Sequence, residues 1–126
     1  MKKILAIDDE KDFCFFTKKN LERAGYEVFT ASDGKSGIEV AKEQRPDLIL
    51  LDIMMPGIDG FEVLEILKKI PDTCHIPVVM LTGRDDEESK SKAKKLLNED
   101  YLIKPVEIEN LREKVESILG KDTKQK

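Results

Sequence analysis

Three short runs rich in Ile, Leu and Val, at residues 3 to 7, 47 to 51 and 76 to 81, are each bounded by charged or turn residues. Unbroken apolar runs of this length predict strands buried on both faces, because a strand with one wet face would alternate apolar with polar residues. The stretches between them carry helical spacing instead: Phe13, Phe16 and Leu21 in the first, Ile38 and Ala41 in the second, Phe61, Leu64 and Leu67 in the third. Gly25, Pro46 and Pro71 punctuate their ends. Tyr26 to Ala31 and Asp100 to Ile103 predict two further short strands. A fourth helix is expected over residues 85 to 98, with Ala93, Leu96 and Leu97 its only apolar residues, and Ile108, Leu111, Val115, Ile118 and Leu119 form the stripe of a fifth. Strict alternation of five strands with five helices implies a parallel sheet covered on both faces, a doubly wound α/β domain.

The chain's 126 residues suit one such domain over residues 1–120, followed by a polar tail at 121–126. Charged residues make up 38% and hydrophobic ones 40%, and the net charge of −4 leaves no basic footprint for nucleic acid. No run approaches the ~20 apolar residues that would insert in a membrane. Cys14 and Cys74, with no apolar signal segment behind Met1-Lys2-Lys3, read as free thiols in a reducing cytoplasm. His75, the only histidine, sits in the polar loop from Pro71 to Pro77 without a second ligand nearby and reads as surface. Phe15 plots opposite the apolar stripe of the first helix and should be exposed, either as an ordinary surface aromatic or as a contact for a partner.

In sheets of this kind ligands bind beyond the carboxyl ends of the strands. The residues closing the predicted strands there are Asp8 and Asp9, Asp52, Thr82 and Lys104. Each acidic residue taken singly would suit a helix cap or a turn. Together they place three carboxylates, a hydroxyl and an ammonium on one rim, and carboxylates so close would hold protons unless a cation joined them. Mg²⁺ suits the set, since it takes one or two carboxylates and completes its shell with water and phosphate oxygens. A carboxylate beside such an ion is able to attack phosphorus, giving an acyl phosphate on aspartate, with Lys104 and Thr82 placed to meet phosphoryl oxygens.

With Ile7-Asp8-Asp9-Glu10, Leu50 to Gly60 around Asp52, Leu81-Thr82-Gly83 and Tyr101-Leu102-Ile103-Lys104-Pro105 in this order and spacing, residues 2 to 119 closely resemble the receiver domain of two-component response regulators. The resemblance implies a flavodoxin-like sheet of order 2-1-3-4-5. It also implies Asp52 as the phosphoacceptor, Asp9 as a direct Mg²⁺ ligand, Asp8 as a ligand through water, and the Met54 backbone carbonyl as a further ligand. Lys104 would precede a cis bond to Pro105. Thr82 and Tyr101 would form the switch pair, and Met54 and Arg84 would tune the lifetime of the phosphoryl group. The donor would be a sensor histidine kinase or a histidine phosphotransfer protein, docking on the first helix. The signal would leave through a downstream protein partner on the face of the fourth helix, fifth strand and fifth helix, with no output domain, no direct nucleic-acid contact and no membrane insertion in this chain. Leu97-Asn98 departs from the Gly-Ala that many relatives carry, which affects the path of the loop before the fifth strand.

Two other readings stay open on sequence grounds. An aspartate-nucleophile phosphatase on a similar sheet would need a general acid and a substrate cap, and neither an Asp-x-Asp motif at a strand end nor a long insertion is present. A receiver-like scaffold without phosphorylation would have no need of Asp8, Asp9, Asp52, Thr82 and Lys104 together.

Overall fold

The computed structural model describes residues 1–83 and 100–120. They form strands β1 (Lys3–Ile7), β2 (Glu27–Ala31), β3 (Leu48–Asp52), β4 (Val78–Thr82) and β5 (Asp100–Ile103), with helices α1 (Lys11–Arg23), α2 (Gly34–Gln44), α3 (Gly60–Lys69) and α4 (Ile108–Leu119). The helix expected over 85–98, Arg84, the Leu97-Asn98 pair and the 121–126 tail lie outside the described residues. All strand pairs are parallel and the sheet runs β2-β1-β3-β4-β5, the order the resemblance implies.

The uniformly apolar strands divide their residues between two cores. Leu48 and Leu50 of β3 join Ile4, Ala6, Val79 and Leu81 on the face covered by Leu21 of α1 and by Leu111 and Val115 of α4. Ile49 and Leu51 join Leu5, Ile7 and Met80 on the face covered by Ile38 and Ala41 of α2 and by Val63, Leu64 and Leu67 of α3. Burying each large aliphatic side chain stabilises the fold by ~1.5–3 kcal/mol relative to leaving it exposed. Gly37 lets α2 lie close on β1, since a Cβ there would fall 2.5 Å from Ile7 Cδ1.

Strands β3 and β4 begin and end slightly later than the apolar runs suggest. The Asp47 carboxylate accepts the Lys3 backbone N–H at 2.8 Å and lies before the ladder, and Pro77 has no N–H to give. The ladder therefore reaches the polar closing residues, pairing Asp52 with Leu81 and Thr82 with Ile103. Side chains cap two helices: Asp33 accepts the Ser36 N–H at 2.8 Å at the start of α2, and Asp59 and Glu62 form a reciprocal box at α3 with both bonds at 2.9 Å. On the edge strand β2, the Lys18 ammonium of α1 donates to the Val28 carbonyl at 2.9 Å and pairs with Glu22 at 2.9 Å. No helix among the described residues is long and apolar enough to cross a membrane.

Candidate functional site

Register alone brings the acidic residues together. Because Ile7 of β1 pairs with Leu51 of β3, the next residues, Asp8 and Asp52, emerge side by side at the carboxyl edge of the two central strands. Asp9 follows Asp8 out of the sheet. Oxygens of Asp8, Asp9 and Asp52 all lie within 4.8 Å of one another; Asp8 and Asp52 are buried and Asp9 is exposed. None of the three is a helix N-cap, since the described helices begin after Glu10, Asp33, Asp59 and Glu107.

The crowding has an electrostatic consequence at Asp52, whose pKa is raised from 3.8 to about 7. Burial is the larger cause and the neighbouring Asp8 carboxylate the next, while the Lys104 ammonium and the Met54 N–H, which donates to Asp52 Oδ1 at 3.3 Å, offset only part. Asp8 Oδ1 accepts the Glu10 N–H at 2.9 Å, and Oδ2 lies 2.7 Å from Lys104 Nζ as an ion pair without hydrogen-bond geometry. The Asp8 carbonyl accepts a bond from the Cys14 thiol at 3.3 Å. Burial, then the charge of Asp8, pushes that thiol up to about 11. Cys14 is buried and Cys74 exposed, both free, and His75 is exposed in its loop.

Lys104 arrives from the far side of the site, one residue past β5. Its backbone N–H donates to the Thr82 carbonyl at 2.7 Å and its bond to Pro105 is cis. Its ammonium lies 2.7 Å from Asp8 Oδ2, 2.8 Å from Glu10 Oε1 and 3.8 Å from Asp52 Oδ2, and 4.8 Å from the centre of the Phe13 ring. Burial by itself would lower the pKa of this lysine, but its pairing with the Asp8 and Glu10 carboxylates outweighs it and raises the pKa. Sequence reading identified neither Glu10 nor Phe13 as part of the site: Phe13 belongs to the apolar stripe of α1, and Glu10 looks like a helix-start acid.

The loop after Asp52 is anchored by α3. The Gly60 N–H donates to the Ile53 carbonyl at 2.9 Å, and a Cβ on Gly60 would press into the Asp52 carbonyl oxygen and lie 2.6 Å from Ile53 Cα. Met54 in that loop turns its side chain to solvent. Thr82 closes β4 with its hydroxyl buried and donating to the Gly83 carbonyl at 3.3 Å. Tyr101, opposite Met80 on β5, is half-buried against the α2–α3 core. Phe15 is 66% exposed on α1, with Lys19 Nζ 5.5 Å from its ring centre. Thus Asp8, Asp9, Asp52 and Lys104 converge, Met54 and Thr82 border them, and Tyr101 stands on the adjoining strand.

The donors facing one another are all carboxylate oxygens, and one of them holds its proton up to about neutral pH. A hard divalent cation such as Mg²⁺ fits this set, for it replaces that proton and the repulsion behind it.

Comparison with known proteins agrees with this geometry. Residues 4–116 match the response regulator receiver domain. The chain is 41% identical over 118 residues to the alkaline phosphatase synthesis transcriptional regulatory protein PhoP of Bacillus subtilis, covering 94% of this chain and 48% of that protein. It therefore spans about half the length of PhoP. Protein PilH of Pseudomonas aeruginosa is 36% identical over 120 residues, covering 95% of this chain and 99% of PilH. Among solved structures, the chemotaxis protein CheY4 of Vibrio cholerae superposes with a TM-score of 0.88 at 32% identity, covering 94% of this chain and 98% of that one. Matched along nearly its whole length in sequence and in fold, the chain belongs to the response regulator receiver domains, the modules that take part in two-component phosphorelay signalling.

Proposed function

We propose that Asp52 is the phosphoacceptor of this receiver and that the surrounding residues form a Mg²⁺-dependent phosphorylation site. The observation that carries this reading is the convergence of three carboxylates with one ammonium at the carboxyl edge of the sheet, where Asp52, buried like Asp8, closes the central strand. A carboxylate oxygen of Asp52 attacks phosphorus, the bond from phosphorus to the donor's histidine nitrogen breaks, and the electron pair leaves with the imidazole. Asp9, Asp52 and the Met54 carbonyl would hold Mg²⁺, with Asp8 reaching it through water, and the ion when bound would supply positive charge against the carboxylates and phosphoryl oxygens.

The protein's own groups do the rest. Lys104, already beside Asp52, pairs with a phosphoryl oxygen as a compact point charge. The Thr82 hydroxyl exchanges its weak bond to Gly83 for a phosphoryl oxygen, and Tyr101 turns inward as Thr82 moves. Met54, exposed beside the site, and Arg84 tune how long the acyl phosphate lasts. The donor is a sensor histidine kinase or a histidine phosphotransfer protein, and the readout is a downstream protein in the cytoplasm. The domain catalyses only its own phosphorylation and dephosphorylation.

Intact-mass measurement after incubation with a small acyl phosphate and Mg²⁺ tests the assignment. One phosphoryl group should be gained, and Asp52→Asn should prevent it. An unlabelled wild type, or labelling that persists in Asp52→Asn, refutes the role of Asp52.

A further inference from the structure

We propose that Glu10 is a positioning residue that holds the Lys104 ammonium in the resting state and must release it when Asp52 is phosphorylated. This rests on the reading of Asp52 as phosphoacceptor and of Lys104 as the cation that meets the phosphoryl group.

Glu10 occupies the N-cap position of α1, yet its side chain makes no capping bond to the helix. It turns instead to Lys104, 94 residues away in sequence, at 2.8 Å. The local backbone aims it there, because Asp8 Oδ1 grips the Glu10 N–H at 2.9 Å and fixes the turn from which the side chain projects. An ammonium has three N–H donors. One is given to Glu10 at 2.8 Å, while Asp8 Oδ2 lies 2.7 Å away as an ion pair without hydrogen-bond geometry, Asp52 Oδ2 stands off at 3.8 Å and the Phe13 ring occupies another side.

A phosphoryl oxygen arriving on Asp52 therefore meets a lysine already paired with two other carboxylates. The two partners differ in how easily they let go. Asp8 has a wholly buried side chain, so breaking its ion pair would strand a charge away from water. The Glu10 side chain is 64% exposed and rehydrates as it leaves. Glu10 is the partner that yields, and its charge competes with the phosphoryl group for Lys104. Phe13, beneath the ammonium, limits how far the lysine can swing as it changes partners.

The test is the affinity for beryllofluoride, a phosphoryl mimic, at saturating Mg²⁺, in wild type, Glu10→Gln, Lys104→Met and the double variant. Releasing an exposed ion pair should tighten binding by about two- to fivefold in Glu10→Gln. The gain should vanish when Lys104 is already Met, which a purely structural role of Glu10 would not produce. Unchanged or weaker binding in Glu10→Gln overturns the proposal, as does an equal gain in the Lys104→Met background. Wild type that binds no beryllofluoride would instead overturn the phosphoacceptor reading, so the two failures are separable.

Discussion

Replacing Asp52 with Asn should make the metal-free protein more stable while removing its proposed chemistry. The Asp52 pKa, raised from 3.8 to about 7, means that ionising the carboxyl in the fold is disfavoured by ~3 pK units. At ~1.36 kcal/mol per unit this sets a ceiling of ~4 kcal/mol on the stability lost once the group is charged. Asn fills nearly the same space without the charge, but its amide must also be desolvated and Lys104 loses an attraction, so about half the ceiling, ~2 kcal/mol, should be recovered. For a domain of this size each kcal/mol moves the melting temperature by ~3–5 °C, giving a rise of ~6–10 °C. The sign fixes the pH profile. A carboxyl whose pKa is higher in the folded state favours the fold at low pH, and that advantage is lost as pH rises from about 4 to about 7. Thermal melts in a chelator should therefore show little difference between variant and wild type near pH 4, a widening gap to pH 7 and a plateau above. Excess Mg²⁺ should narrow the gap at pH 8 by stabilising the wild type. A gap of equal size at pH 5 and pH 8, or an Asn variant less stable at pH 8, would refute the electrostatic account.

Gly60→Ala should destabilise the domain by ~1–3 kcal/mol in urea unfolding, because the new methyl group drives into the Asp52 carbonyl and Ile53 Cα; a change under 0.5 kcal/mol would mean that the α3 start gives way freely. Lys104→Met should bind Mg²⁺ about threefold or more tightly in a calorimetric titration, since the ammonium that neutralises Asp8 and approaches Asp52 is gone. Weaker binding would show that Lys104 organises the metal site.

How much of the site the sequence reveals depends on the reach of each signal. Asp8 and Asp52 are legible because apolar runs end just before them, and parallel topology then sets neighbouring strand ends side by side. The strand order itself came from resemblance, since five similar runs of Ile, Leu and Val contain nothing to say which neighbours which. The division of each strand between two cores is equally hidden, because Leu48 and Ile49 look alike although they face opposite ways. Glu10 is hidden for a different reason. Its partner lies 94 residues away, and an acid opening a helix has a sufficient local explanation in capping. Only the positions of β1 and β5 in the sheet reveal that the side chain serves Lys104. Periodicity marks Phe13 as part of the apolar stripe of α1, but it does not say that the ring lies under a cation.

The hydrogen bond from Lys18 to the edge strand bears on how these molecules behave in a crowd. Glu27 and Ala31 turn their backbone groups toward β1, so strand alternation leaves Val28 and Thr30 facing outward. A foreign strand seeking to extend the sheet along β2 would find the Val28 carbonyl already occupied, and would have to strip a charged amine from it and from Glu22. Such an edge discourages the end-to-end stacking of sheets that leads toward fibres. The same lysine that ties α1 to the sheet thus gives a signalling protein some protection against joining copies of itself when it accumulates.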